Sequence, residues 1–482
     1  MSSTQLPPVL TPGPIAYQGD MTIDTNVLDP VVSNPYFSRF VLPSRGFLDV
    51  GSVLTFSVKV PTNDVAIFPI KTGAAAAISS CILKIGNKTI AITDRYGVYS
   101  TIRRSFKTPE ERSQKDQVHI GTMDILCPDN GQTGKYQLRD CMYATDPVPA
   151  NMTVGTPFPQ FMLTTSSTDC PVWNIKLAEM FPALRNLTLP LFLIDQQCSI
   201  EVVWNKQLTG ELGKVAVFDA DYVAGGGAGG AGGVTTAEVD AFNVKFLADY
   251  IVYDPERMEQ TARQVMSDQG WSTPYEDVVS VSTNFSGIAQ PAVPTESREP
   301  RDLGFSGMRL RSILGHHHDP SRDSLLLGQY SSDAYQFPLQ YNLRLNDKLV
   351  YPQNLDSESA KAHQLGQVFG TEVCCCNSEY SLDAIVDKDV AGRPLTNPMI
   401  TGTVLGLLQG ASLEGSQNYT GCDFTIDGLP AVRNGVVVGM KPVQMLSLVT
   451  NTNIDYDGRA VTFFGVVERF MTIKQGLVSV TA

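Results

Sequence analysis

The chain repeats itself once, and that repetition limits what it can fold into. Leu83-Lys84-Ile85-Gly86-Asn87-Lys88-Thr89-Ile90 aligns without a gap on Leu343-Arg344-Leu345-Asn346-Asp347-Lys348-Leu349-Val350. Each stretch reads as strand, tight Gly/Asn/Asp turn, strand, the pattern of a two-residue β-hairpin. The halves also end alike, since Val244-Lys245-Phe246-Leu247-Ala248 matches Val461-Thr462-Phe463-Phe464-Gly465. A duplicated β domain is the simplest account. The 482 residues then divide into two all-β domains of roughly 200 residues each, a usual size for such domains.

Local patterning agrees. Val53 to Val60, Ser199 to Trp204 and Val461 to Val467 are rich in β-branched and aromatic residues and are bounded by turn formers. With 40 Gly and 30 Pro, the chain has enough breakers for many short strands. Three short helices are expected on the surface. One opens at the capping box Thr108-Pro109-Glu110-Glu111, one runs from Asp254-Pro255-Glu256 to about Ser267, and one lies between Ser357 and Leu365. Six prolines between Pro7 and Pro35 forbid regular helix and predict an extended N-terminal arm, residues 1–38, that orders only against a partner. The first domain then covers residues 39–258 and the second 259–482. The Gly-rich run 224–233 is read as an exposed loop late in the first domain, with an interdomain linker as the alternative.

Charge and motifs exclude more than they suggest. Against 36 Lys and Arg stand 49 Asp and Glu, a net charge of −13, and Met1 to Ser38 carries no Lys or Arg. A basic arm that condenses nucleic acid is therefore absent, and no direct nucleic-acid contact is expected. The short basic clusters, Arg103-Arg104 and Arg298 to Arg311, read as solvated or interface charge. No apolar run reaches bilayer length and the first residues have no signal-peptide pattern, so a soluble chain with reduced, structural cysteines is expected. Of the nine Cys, Cys374-Cys375-Cys376 lacks the spacing of a zinc site.

His316-His317-His318 is the sharpest metal candidate, because His316 and His318 would share one face of a strand. Asp319-Pro320 ends such a strand at once, and the only later histidine is His363, so a polar loop is the plainer reading and no metal site is assigned. Glu110 with Glu111, and Asp319 with Asp323, read as surface carboxylates and not as a catalytic pair. Asn87, Asn151, Asn186, Asn284 and Asn418 begin Asn-x-Ser/Thr sequons, which read as chance without secretion. No phosphate-binding loop, nucleophile elbow or His-Glu-x-x-His helix occurs. No catalytic, metal or cofactor-binding residue is assigned, and no enzymatic activity is expected.

Several segments, taken in order from about residue 40 to 480, resemble the double jelly-roll major capsid proteins of eukaryotic double-stranded DNA viruses, above all the polinton-like virus and virophage type, with the nucleocytoplasmic large DNA viruses more distant. They are Leu83 to Tyr96, Phe181-Pro182-Ala183-Leu184-Arg185-Asn186-Leu187-Thr188-Leu189-Pro190-Leu191, Ala248 to Glu256, and Tyr341 to Lys348 followed by Tyr351-Pro352. The resemblance implies two tandem eight-stranded antiparallel jelly rolls with long loops and a few short helices. It further implies a homotrimer acting as a pseudo-hexagonal capsomer in an icosahedral shell, a place in the virion after assembly in the host cell, and no cofactor. Neighbouring capsomers, minor capsid and penton proteins would be its partners, and an internal membrane beneath the shell is compatible with it. Two other readings compete: a carbohydrate-binding β-sandwich, which would need exposed aromatic platforms from Trp173, Trp204 or Trp271, and a jelly-roll metalloprotein using His316 and His318.

Overall fold

The structure, a computed structural model, describes residues 21–59, 64–67, 73–105, 107, 115–120, 127–128, 136–137, 172–185, 187–205, 216–219, 240–253, 270–285, 295–297, 300–318, 340–355, 419–425, 434–450 and 459–481, with helical residues at 256, 258–259, 262–263, 363–364 and 367–368. The first half builds eight main strands: β1 Met21–Leu28, β2 Phe37–Leu42, β3 Val53–Lys59, β4 Ile78–Ile85, β5 Lys88–Asp94, β6 Trp173–Lys176, β7 Cys198–Trp204 and β8 Asp240–Tyr253. They pair antiparallel in two sheets, β1-β8-β3-β6 and β2-β7-β4-β5.

The second half repeats this order. Its strands are β9 Trp271–Phe285, β10 in two pieces (Thr295–Ser297 and Arg301–Gly304), β11 Arg309–His318, β12 Gln340–Leu345, β13 Lys348–Leu349, β14 Tyr419–Asp423, β15 Val443–Thr450 and β16 Arg459–Lys474. The sheets are β9-β16-β11-β14 and β10-β15-β12-β13, again antiparallel. In each half the first, eighth, third and sixth strands form one sheet, and the second, seventh, fourth and fifth form the other. This is jelly-roll topology, two interlocked Greek keys, present twice. A further strand, β17 Leu477–Thr481, folds back on β16.

Period-2 alternation drives the strands. In β2, Ser38, Phe40 and Leu42 face inward while their neighbours are half-exposed. In β8, Val244, Phe246, Ala248 and Tyr250 enter the core. The repeated hairpin is confirmed at both sites. Asn346 and Asp347 both take left-handed φ, +50° and +63°, in the second turn, whereas Gly86 alone does so in the first, at +58°.

One expectation needs correction. Residues 21–37 are not part of an arm awaiting a partner: Met21–Leu28 pairs residue for residue with Tyr253 to Phe246 and is the first strand of the first roll. Its backbone finds partners within its own chain, so folded sequence begins well before Phe40. A helix the sequence reading did not predict, α1 Tyr96–Ser105, follows the first hairpin, and the helix expected from Thr108 opens on residues outside the described ones. Its Val98, Tyr99, Thr101 and Ile102 are buried. The helices expected after Asp254 and near Ser357 have described helical residues at 256, 258–259 and 262–263, and at 363–364 and 367–368. The Gly run 224–233 and Cys374 to Cys376 lie outside the described residues.

Candidate functional site: the junction between the rolls

One hydrophobic core runs through the first roll and on into Trp271, Tyr275, Val278, Phe464, Met471, Ile473 and Val478 of the second. A smaller core around Leu303, Phe305, Leu310, Tyr341, Met445 and Phe463 fills the second roll itself. The junction is therefore packed as a protein interior, and among the described residues three of its attachments carry named side-chain or turn contacts.

The first attachment is α1. Strand β5 ends at Asp94, Arg95 adopts φ +51°, and the helix starts at the next residue, closed by Tyr99 N–H donating to the Arg95 carbonyl at 3.0 Å. The turn aims α1 at β16, where the Arg95 guanidinium donates to Thr462 Oγ1 at 2.8 Å. One helical turn on, the Tyr99 and Phe464 rings meet at 5.7 Å between centroids. The second attachment joins β9 to β5: buried Tyr275 Oη donates to the Ile90 carbonyl at 2.7 Å. Burial and the nearby Asp277 raise this phenol, so it remains a donor. The third is the β16–β17 turn. Gln475 and Gly476 take φ +51° and +73°, and the turn lies against Asp195 so closely that a Cβ on Gly476 would fall 2.0 Å from its carboxylate. Asp195 N–H donates to Gly476 O at 3.1 Å, and Val478 N–H donates to Gln196 Oε1 at 3.2 Å.

Charges are enclosed beside these contacts. Asp277 is buried, 3.2 Å from Arg469, and its Oδ1 accepts from Val278 N–H at 3.0 Å. Burial pushes its carboxyl up to about 6, against the opposing pull of Arg469 and of main-chain hydrogen bonds at Val278 and Ile92. The folded state therefore holds this proton at pH values where the unfolded chain, with an ordinary carboxyl, has released it. The contribution of Asp277 to stability rises as pH falls from 7 through 6 toward 4, by at most about 3 kcal/mol for a two-unit shift. Asp277→Asn should remove that increment. Urea unfolding at pH 7 and pH 5 is expected to show the wild type gaining stability relative to the variant on acidification; equal gains would refute the assignment.

The arginine clusters, expected to be solvated or interface charge, are tied into the fold by ion pairs. Arg104 is buried 3.7 Å from Asp116, which Lys107 also contacts at 2.8 Å while reaching Glu179 at 2.9 Å. Arg309 lies 3.5 Å from buried Glu468, and Arg311 pairs with Glu276, linking β11 to β16 and β9.

The sequence candidates for chemistry are not brought together. His316, His317 and His318 end strand β11, opposite Thr462, Val461 and Ala460 of β16, so the polar-loop reading is replaced by a strand. Among the described residues, no group of three His, Cys, Asp or Glu is placed to hold a metal ion. Trp173, Trp204 and Trp271 are all buried in the rolls, so none offers a platform for sugars. Cys81, Cys198 and Cys422 are buried free thiols, and desolvation pushes Cys198 and Cys422 up to about 12. Asn87 sits exposed in the first hairpin turn and Asn284 lies in β9; Asn151, Asn186, Asn418, Glu110, Glu111, Asp319 and Asp323 lie outside the described residues. No described helix is long and apolar enough to cross a membrane.

A chain made of two jelly rolls fused through a continuous core matches a defined set of solved structures. VP54 of the virus PBCV-1, fitted into a reconstruction of the virophage Sputnik, superposes with a TM-score of 0.55 at 10% identity, covering 96% of this chain and 97% of that one. A chain from the structure of the Sputnik virophage gives 0.55 at 11% identity, with 98% and 90% covered. The Faustovirus major capsid protein gives 0.54 at 8% identity, with 94% and 91% covered. The chain thus has the double jelly-roll fold over nearly its whole length, the fold of the Faustovirus major capsid protein among others. No protein-family profile and no curated protein matches the sequence.

Proposed function

We propose that this chain is the major capsid protein of an icosahedral double-stranded DNA virus, located in the virion, and that it acts as a homotrimer. The observation that carries the reading is the junction. Two rolls of identical strand order are welded by a continuous core, by α1 on Phe464 and by the β16–β17 turn on Asp195, giving a two-lobed rigid block with no internal hinge in the described contacts. Three such blocks present six similar lobes, a pseudo-hexagonal tile that packs edge to edge in a shell. The function is structural, not catalytic. It is built on sheets and burial, and the acidic chain with no Lys or Arg before Arg39 offers no polycation for packing DNA. Neighbouring capsomers, minor capsid and penton proteins are its proposed partners.

Light scattering behind size exclusion tests the trimer. The expected native mass is about 157 kDa, three times the 52.4 kDa chain, and it should persist on dilution. Electron microscopy of concentrated samples should then show hexagonally packed blocks. A stable 52.4 kDa species under all conditions would refute the capsomer.

A further inference from the structure

Lys107 stands between two carboxylates whose grouping a shell-forming role does not require. It lies just past the end of α1, Asp116 immediately precedes the helical turn Gln117–Ile120, and Glu179 belongs to the turn Leu177–Met180 that follows β6. The Lys107 ammonium donates to Asp116 Oδ1 at 2.8 Å and to Glu179 Oε1 at 2.9 Å. An amine, a carboxyl group in contact with it and a second carboxylate on the same nitrogen are the three parts that amide formation needs.

Enclosure separates this set from a solvated ion pair. The Asp116 side chain is 6% exposed, while Lys107 at 26% and Glu179 at 33% leave a way out for water. Asp116 Oδ2 accepts no hydrogen bond among the described residues, its contact with Arg104 Nε being 3.7 Å long. A buried carboxylate so incompletely satisfied favours its neutral form, and burial does raise the Asp116 carboxyl against the pull of Lys107 and Arg104. Burial lowers the Lys107 amine, but Glu179 and Asp116 outweigh it and hold the ammonium as the resting form. Transfer of one proton along the 2.8 Å hydrogen bond turns two enclosed ions into an amine and a carboxylic acid already in contact.

We propose that Lys107 and Asp116 condense to an intramolecular amide, with Glu179 carrying the proton. After the transfer to Asp116, the Lys107 nitrogen attacks Asp116 Cγ and the Nζ–Cγ bond forms. Glu179 takes a proton from that nitrogen and hands it to the departing hydroxyl, the Cγ–O bond breaks, and one water leaves. Ammonium and carboxylate go in, amide and water come out, and Glu179 ends as it began, so neither oxidant nor reductant is needed. The product ties the end of α1, the helix that rests on Phe464, to the turn Gln117–Ile120, and it replaces two charges by a neutral group.

Peptide mapping of the full chain by mass spectrometry tests this, because trypsin does not cut after an acylated lysine. After prolonged incubation of the folded protein, residues 105–112 are expected to appear joined to residues 116–135, lighter by one water than the two peptides together and uncut at Lys107. Lys107→Arg should abolish the branch. Glu179→Gln, which leaves both reacting groups in place, should slow its formation by about a hundredfold or more, with Glu179→Asp restoring part of the rate. Wild-type protein that still cuts at Lys107 and releases 116–135 unbranched overturns the amide. A branch that forms as fast in Glu179→Gln overturns the role of Glu179.

Discussion

Gly465→Val is expected to destabilise the second roll by about 3 kcal/mol or more and to lower its melting temperature by on the order of 10 °C. Gly465 faces inward on β16, paired with Val279 of β9 and Ile313 of β11. A Cβ there would lie 2.4 Å from Cε1 and 2.8 Å from Cζ of the Phe305 ring. The ring cannot easily withdraw. Phe305 itself sits at φ +65° after Gly304 at φ +82°, a corner fixed by Met308 N–H donating to the Phe305 carbonyl at 3.3 Å, and its side chain is buried in the roll's own core. Accommodating the valine means expelling Phe305, whose lost burial alone is worth about 3–5 kcal/mol. In the first roll the matching position is Ala248, a buried residue that already carries a Cβ, so the constraint belongs to Phe305 and not to the fold in general. Combining Gly465→Ala with Phe305→Leu should therefore recover part of the loss from Gly465→Ala alone, a coupling visible in scanning calorimetry. A Gly465→Val protein that melts within about 2 °C of wild type would show that the ring moves freely.

The legible parts of the fold were those written in short stretches. Hairpin turns declare themselves through Gly86-Asn87 and Asn346-Asp347, and alternation marks Val53–Lys59 and Cys198–Trp204, because both signals depend on residues within a few positions of each other. Strand β1 was missed although Met21, Ile23 and Val27 recur on one face. The prolines flanking it at Pro14 and Pro30 suggested an arm, and only β8, more than 200 residues away, supplies its partner. The same distance hid the junction: nothing near Tyr275 indicates that its hydroxyl will meet the Ile90 carbonyl, or that the paired charges Arg103-Arg104 will end a buried helix with Arg104 against Asp116. Helix α1 carries Tyr96, Tyr99 and Ile102 at helical spacing, a signal available in the sequence but overshadowed by the stronger capping box at Thr108. The candidate site is thus a consequence of the duplication, which the sequence displays, combined with a docking geometry, which it does not.

Phe464, next to Gly465, points out of the opposite face of β16, and its replacement is expected to separate the two rolls instead of emptying one. Phe464→Asp removes a buried ring in contact with Tyr99 at 5.7 Å and leaves a carboxylate between two cores. The ring loss is worth about 3–5 kcal/mol, and an unpaired buried charge adds to it, so a fall in melting temperature of at least about 10 °C and a split into two transitions are expected. The counterpart substitution Leu247→Asp should behave differently. Leu247 is half-buried on a face that the chain itself leaves open, so its carboxylate remains hydrated and the cost stays near 1 kcal/mol or below. One fold position, occupied twice, then yields different phenotypes: at Phe464 the single chain loses its rigidity, and at Leu247 its melting stays close to wild type. Calorimetry on the two variants separates these outcomes. Equal melting losses at both positions would mean that the outward face of the first roll is already sealed within the chain.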